Sequence, residues 1–270
     1  MKKNILILVL ITASNLLAQE VKFLGEAKPG GILIGRGENI ISVQLNKINI
    51  QVDESGIFIL GFDRDAEGAF QLIIKFKNKK VVSYDYNLEK REYEEQSLHI
   101  AGKYVNPPRK MLPKIMNEQK AMKAARADVG KLKSALFLSG FVYPMDSLDV
   151  RAVFGSQRIL NGKKSNIHNG VDFHAVVGDS VHAISDGIVI LAGNNFFYNG
   201  NFILLDHGLG LTSVYLHMSK LLVNNGQRVK KGELIGLAGG TGRATGPHLH
   251  LGVQWFNKRI DPMSLFEIKF

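Results

Sequence analysis

The chain contains no cysteine. It can form no disulfide, carry no thiol nucleophile and take no lipid on an N-terminal cysteine, so any metal it binds must be held by His, Asp or Glu. The H-E-x-x-H helix of the common metalloprotease design is missing, and so is a G-x-S-x-G nucleophile turn. The glycine-rich stretch Gly236–Gly242 lacks the G-K-[ST] ending of a phosphate loop and reads as a turn into the strand that follows it. Beyond the N-terminal leader, no apolar run approaches the ~20 residues needed to span a bilayer. Acidic residues are outnumbered, 24 Asp and Glu against 34 Lys and Arg, for a formal net charge of +10. That excess draws the protein to polyanions, and by itself does not choose between nucleic acid and an anionic cell envelope.

At the N-terminus, Lys2 and Lys3 precede a short apolar run, Ile5–Thr12, and the small residue Ala18 precedes a polar stretch. This pattern predicts a secretory signal peptide over residues 1–18, and no stable membrane span once it is removed. With export expected and no nucleic-acid-binding motif present, nucleic acid is set aside as a partner.

Two domains joined by a connector are expected. Over residues 19–107 the alternation of Ile48, Ile50 and Val52, of Phe70, Leu72, Ile74 and Phe76, and of Val82, Tyr84, Tyr86 and Leu88 marks strands with one buried face. Pro29-Gly30-Gly31, Glu54-Ser55-Gly56 and Asn78-Lys79-Lys80 supply the turns, and the whole predicts a small β-sandwich. Residues 108–140 read as a helical connector: Pro113 suits a first turn, and Ile115, Met122, Ala125, Val129, Leu132 and Leu136 recur at three- and four-residue steps. One amphipathic helix is expected there, ending near Ser139-Gly140, and either the N-terminal β domain or the Ile115–Leu136 helix is expected to cover the groove until a partner moves it. Residues 141–270 turn glycine-rich, with strands expected over Val181–Leu191, Leu211–Leu216 and His248–Trp255. A hairpin is expected at Asn199-Gly200. The fold class is mainly β.

Seven of the eight histidines lie between His168 and His250. His168 and Asp172 are four residues apart and share a face if the segment is a strand; His248 and His250 share one by the same rule, with Leu249 turned to the core. His217 is a further candidate on another strand. Two His and one carboxylate make a suitable ligand set for a catalytic zinc ion, which keeps a fourth position open for water. His99 reads as a surface residue, His207 as a turn-fixing residue, His182 as structural and His174 as a groove-lining side chain; Trp255 and Phe256 are assigned either to a groove wall or to the core.

These residues resemble the lysostaphin-type zinc endopeptidase family, with its H-x-x-x-D followed much later by H-x-H. The resemblance covers roughly Pro144 to Pro262. It includes Phe154-Gly155 with Arg158, His168 through Val181, Ala183–Val189, Tyr215-Leu216-His217-Met218-Ser219, Thr241 through His250, and Asp261-Pro262. It implies an antiparallel β peptidase domain in which His168, Asp172 and His250 bind one Zn2+ per chain while His217 and His248 act in catalysis. The implied substrates are peptide cross-links or stem peptides of bacterial peptidoglycan. The implied place is the periplasm or cell envelope, or the medium if the host lacks an outer membrane. A non-enzymatic or latent envelope regulator, working with an envelope regulatory protein, is the alternative.

Overall fold

Alternating apolar residues pair into hairpins over the first third of the chain. A computed structural model describes residues 21–146 and 148–270, so the expected signal peptide at residues 1–18 lies outside the described residues. The first strands are β1 (Lys22–Gly25), β2 (Ile32–Arg36), β3 (Ile40–Leu45), β4 (Ile48–Ile50), β5 (Ile57–Gly61), β6 (Gly68–Phe76) and β7 (Val81–Leu88). They form two antiparallel sheets, ordered β1-β2-β5 and β4-β3-β6-β7. Leu33, Phe58 and Leu60 meet Val43, Leu72, Ile74 and Phe76 in one core between them. The other face of β2 and β5 is buried as well: Ile32, Ile34, Ile57 and Ile59 pack into a second core together with Trp255, Ile260 and Leu265. At Gly61 a Cβ atom would lie 2.8 Å from that of Trp255, so the strand comes within backbone distance of the C-terminal half.

β8 (Glu95–Leu98) is followed by helices α1 (Gly102–Val105) and α2 (Leu112–Arg126). The connector helix is shorter than its periodicity predicts. It stops at Arg126, Leu132 lies beyond it with its carbonyl accepting from the Leu209 N–H at 2.8 Å, and Leu136–Ser139 is a separate single turn. A short turn follows Arg126, and Gly130 keeps the helix from resuming: its φ of 91° is left-handed and its Cβ, if it had one, would sit 2.5 Å from the Phe256 ring. A left-handed residue just past the last turn ends a helix, and tertiary contact overrides the apolar spacing that continues through it.

The remaining strands are β9 (Val150–Ala152), β10 (Gln157–Leu160), β11 (Lys163–Ile167), β12 (Val171–His174), β13 (Ser180–His182), β14 (Gly187–Phe196) and β15 (Gly200–Gly208). They continue with β16 (Leu211–Met218), β17 (Lys220–Leu221), β18 (Arg228–Val229), β19 (Leu234–Leu237), β20 (His248–Trp255) and β21 (Lys258–Ile260), before a last helix α3 (Met263–Phe266). Eight of them form one sheet ordered β18-β14-β15-β16-β20-β12-β9, with β21 added to β20. Phe173, Ile203, Tyr215 and Leu249 fill its buried core face. The Asn199-Gly200 turn joins β14 to β15 as its sequence predicts. The single strand expected over Val181–Leu191 is instead split between two sheets, as β13 and β14. The break is fastened by Asp186, which accepts from the Lys231 backbone at 2.8 Å and from Lys230 Nζ at 3.1 Å. A smaller sheet, β11-β10-β8, ties the N-terminal half to the segment before the histidines, with β8 running parallel to β10.

Candidate metal centre

His168, Asp172 and His250 converge, but only one of the two expected strand pairings accounts for it. His248 and His250 both stand on β20, on the face opposite the fully buried Leu249. His168 instead sits in the turn between β11 and β12, and Asp172 on β12 itself. The turn closes because Gly170 has no side chain: a Cβ there would lie 2.2 Å from the Leu251 carbonyl oxygen and 2.7 Å from His250 Nε2. β12 and β20 pair directly, Asp172 opposite His250. His168 Nε2 is 2.9 Å from Asp172 Oδ1 and 3.1 Å from His250 Nδ1, and His250 Nδ1 is 2.7 Å from the same Asp172 oxygen.

The chemistry of this cluster calls for a cation. His168 Nδ1 lies 2.9 Å from the Val153 carbonyl, which can only accept, so Nδ1 is the donor there and Nε2 is the ring nitrogen turned toward the carboxylate. Burial pulls the His250 imidazole down to about 4, against the raising effect of Asp172, so this ring is neutral at pH 7. Burial alone would raise Asp172, but hydrogen bonds and charge from His168 and His250 outweigh it and hold the carboxyl well below its usual range. Two imidazole nitrogens and a carboxylate oxygen thus face one point, the donor set of a zinc site with an open fourth position. His168, Asp172 and His250 are the cluster of His and carboxylate donors within metal-holding distance among the described residues.

Around it stand groups that orient these donors. Arg158 Nη2 donates to Asp172 Oδ2 at 2.8 Å, which leaves Oδ1 for the cluster. His217 and His248 place Nδ1 at 2.8 Å from the carbonyls of Thr241 and Gly246, respectively, so both turn Nε2 away from the backbone; their ring centroids are 4.8 Å apart. By strand parity His217 would share the core face of Tyr215. A bulge prevents this: Leu216 and His217 together oppose Phe202, the register slipping between Asn201 and Ile203. His217 takes a φ of 66°, which aims its ring into the groove. Burial, reinforced by the charges of His248 and His250, draws His217 down to about 3.

The cluster opens on a groove of about 660 Å3. α2 supplies one wall through Met122 and Arg126, while Phe256, Tyr198 and Arg243 supply others. The two residues after the β20 histidines divide: Trp255 is core, its indole N–H donating to the Leu209 carbonyl at 3.0 Å, and Phe256 lines the groove. His207 is fully buried, bridging the Asp186 carbonyl and Ser213 Oγ at 2.7 Å each, and His99 is exposed. His174 pairs opposite His248 and lies outside the converging donors, as does His182. Sequence reading missed Arg126, Arg259 and Gln254 as groove residues. Only Gln254 left a signal, since His248, His250, Gly252 and Gln254 continue one period-two face.

Residues 166–262, the segment that carries the cluster, match Peptidase family M23. The chain is 43% identical over 110 residues to the peptidoglycan DD-endopeptidase ShyA of Vibrio cholerae, a stretch that is 40% of this chain and 25% of that one. It is 45% identical over 96 residues to ShyB of the same organism, 36% of this chain and 22% of that one. The chain thus spans about a quarter of the length of these curated relatives. Among solved structures, a candidate M23 peptidase from Pseudomonas aeruginosa aligns with a TM-score of 0.65 at 25% identity, covering 90% of this chain and 96% of that one.

Proposed function

We infer that this chain, which carries a Peptidase family M23 domain, is a zinc-dependent endopeptidase that hydrolyses peptide cross-links or stem peptides of bacterial peptidoglycan. The observation that carries this reading is the convergence of His168 Nε2, Asp172 Oδ1 and His250 Nδ1, with His217 and His248 beside them, where the cluster opens on a groove.

His168, Asp172 and His250 would hold the ion. When bound, zinc supplies Lewis acidity, lowering the pKa of a water and polarising the amide under attack. Arg158 keeps the Asp172 carboxylate turned so that one oxygen faces the donors. His217, neutral at pH 7 and anchored through Nδ1, offers Nε2 to accept the proton of the attacking water; once protonated, the same atom donates to the developing oxyanion. His248, its Nδ1 2.8 Å from the Gly246 carbonyl and its ring centroid 4.8 Å from that of His217, presents Nε2 beside the same donors, where it would take up the second proton of the attacking water and hand it to the leaving amine. The basic charge and the N-terminal leader pattern support an exported protein of the cell envelope.

The test is mass spectrometry of purified cross-linked peptidoglycan fragments incubated with the zinc-loaded protein. Dimer-to-monomer products that vanish with a chelator are expected, and their masses name the bond. Intact dimers after prolonged incubation with fully metal-loaded protein would exclude the reading.

A further inference from the structure

The groove floor is a short ladder of cross-strand rows. At one end His250 lies between Leu216 of β16 and Asp172 of β12. At the other, Gln254 lies between Thr212 of β16 and Arg259 of β21. The two rows are four residues apart along β20, about 14 Å at the ~3.4 Å rise of an antiparallel strand. Arg126, the last residue of α2, reaches over the far row, its Nη1 3.3 Å from Thr212 Oγ1.

This far end is cationic and its charges are unanswered. Apart from Asp172 at the opposite end of the floor, the groove is lined by Arg126, Arg158, Arg243 and Arg259, with no other Asp or Glu among the described residues. Arg158 is committed to Asp172, and Arg243 sits over the Tyr198 ring at 5.0 Å. Arg126 and Arg259 have no carboxylate within ion-pair distance among the described residues. Asp63 attracts Arg259 at longer range, while its Oδ1 accepts from the Arg259 backbone N–H at 2.8 Å. Beside the two guanidinium groups, Gln254 is 7% exposed and its Oε1 is buried with no hydrogen-bond partner, an acceptor waiting for an N–H. Two like charges and an orphaned amide oxygen at one end of a peptide-sized groove are costly unless a ligand answers them.

We propose that Arg126 and Arg259 form a carboxylate subsite that selects peptides bearing a free carboxylate about four extended residues from the bond that is cut, with Gln254 Oε1 accepting a substrate backbone N–H beside it. The inference rests on the peptidase reading for the position of the scissile bond. Burial, and then repulsion from Arg259, pull the Arg126 guanidinium down to about 10, the behaviour of a cation that lacks its counter-ion. A fork-shaped guanidinium matches a carboxylate with two parallel N–H···O bonds, so the subsite would distinguish an acid from its carboxamide.

The experiment uses the full zinc-loaded chain and a fluorescently labelled, uncross-linked stem peptide with free carboxylates, compared by anisotropy with the same peptide as its carboxamide. The wild type is expected to bind the acid roughly 10- to 100-fold more tightly, the value of charge-assisted hydrogen bonds at a partly buried site. In the Arg126→Gln, Arg259→Gln double variant the preference should shrink to about twofold or less, and Arg126→Lys, which keeps the charge and loses the fork, should fall between. Thermal melting of each variant checks that it is folded; the single Arg126→Gln, at a helix end, replaces the double if the latter is not. Equal binding of acid and amide by the wild type, no binding of either at millimolar concentration, or a folded variant that keeps the preference would each overturn the subsite. Hydrolysis of cross-linked fragments is followed in parallel. Cleavage without acid preference removes the subsite and leaves the peptidase; acid preference without cleavage does the reverse.

Discussion

At the scale of single residues, the candidate site holds its donors from behind, His168 through the Val153 carbonyl and Asp172 through Arg158. His250→Ala removes one of three donors and is expected to bring the zinc content from one per chain to near zero. Hydrolysis should then disappear while the circular dichroism spectrum is retained, since only the edge of the core is touched; metal analysis and the fragment assay check both. Arg158 holds the second oxygen of Asp172, so Arg158→Gln should weaken zinc binding roughly 10- to 100-fold without abolishing it, measured by competition with a calibrated chelator. His207 plays no part in that chemistry and still carries a pH signature. Burial holds its imidazole at about 4, whereas in the unfolded chain it titrates near 6.5. The folded state therefore refuses a proton that the unfolded state accepts. This contribution to stability is complete above pH 6.5 and is lost as pH falls from about 6.5 to about 4, amounting to about 3 kcal/mol. Denaturant melts of zinc-loaded wild type and His207→Gln across that window should differ in slope, the variant being flatter; parallel slopes would show that His207 is protonated in the fold.

At the scale of elements, period-two patterns predicted strands and said little about their ends. β20 begins at His248 and ends at Trp255 as its alternation indicates, because both faces of a central strand are committed to neighbours. β16 breaks its own parity at the Leu216–His217 bulge, and the break depends on the His217 N–H bonding to the Asn199 carbonyl at 3.0 Å, a partner eighteen positions away. α2 fails to continue through Val129 for a similar reason, since Gly130 is left-handed and pressed on Phe256. Gly130→Ala would strain the backbone and push the Phe256 ring. A loss of about 1–3 kcal/mol in stability is expected, read from denaturant midpoints, with the groove wall displaced as well.

At the scale of the whole molecule, the central feature is a sheet shared by two cores. β2 and β5 present Ile32, Ile34, Ile57 and Ile59 to the C-terminal core and Leu33, Phe58 and Leu60 to the N-terminal one. The runs Ile32-Leu33-Ile34 and Ile57-Phe58-Ile59-Leu60 are continuously apolar, the mark of strands covered on both faces, and are the sequence signal for this docking. A fragment of residues 141–270 would expose the Trp255–Ile260–Leu265 side of its core. It is expected to melt at a lower temperature than the full chain and to bind a hydrophobic dye, whereas an unchanged melting temperature would mean that the shared sheet adds no stability.

Local pattern was sufficient for the mainly β class, the N-terminal hairpins and the Asn199-Gly200 turn, because each of these is written in neighbouring side chains or in a short motif. His248, His250 and Gln254 could be placed on one face by counting alone. The approach of His168 to Asp172 through a turn, the re-aiming of His217, the early end of α2 and the meeting of Arg126 with Arg259 could not. Each depends on an atom far along the chain: the Leu251 carbonyl against Gly170, the Asn199 carbonyl, the Phe256 ring, and the cross-strand row of Thr212, Gln254 and Arg259. Periodicity reports that a face is buried; only the folded chain decides what it is buried against, and it is that choice of neighbour that sets the direction of a donor or the charge of a groove.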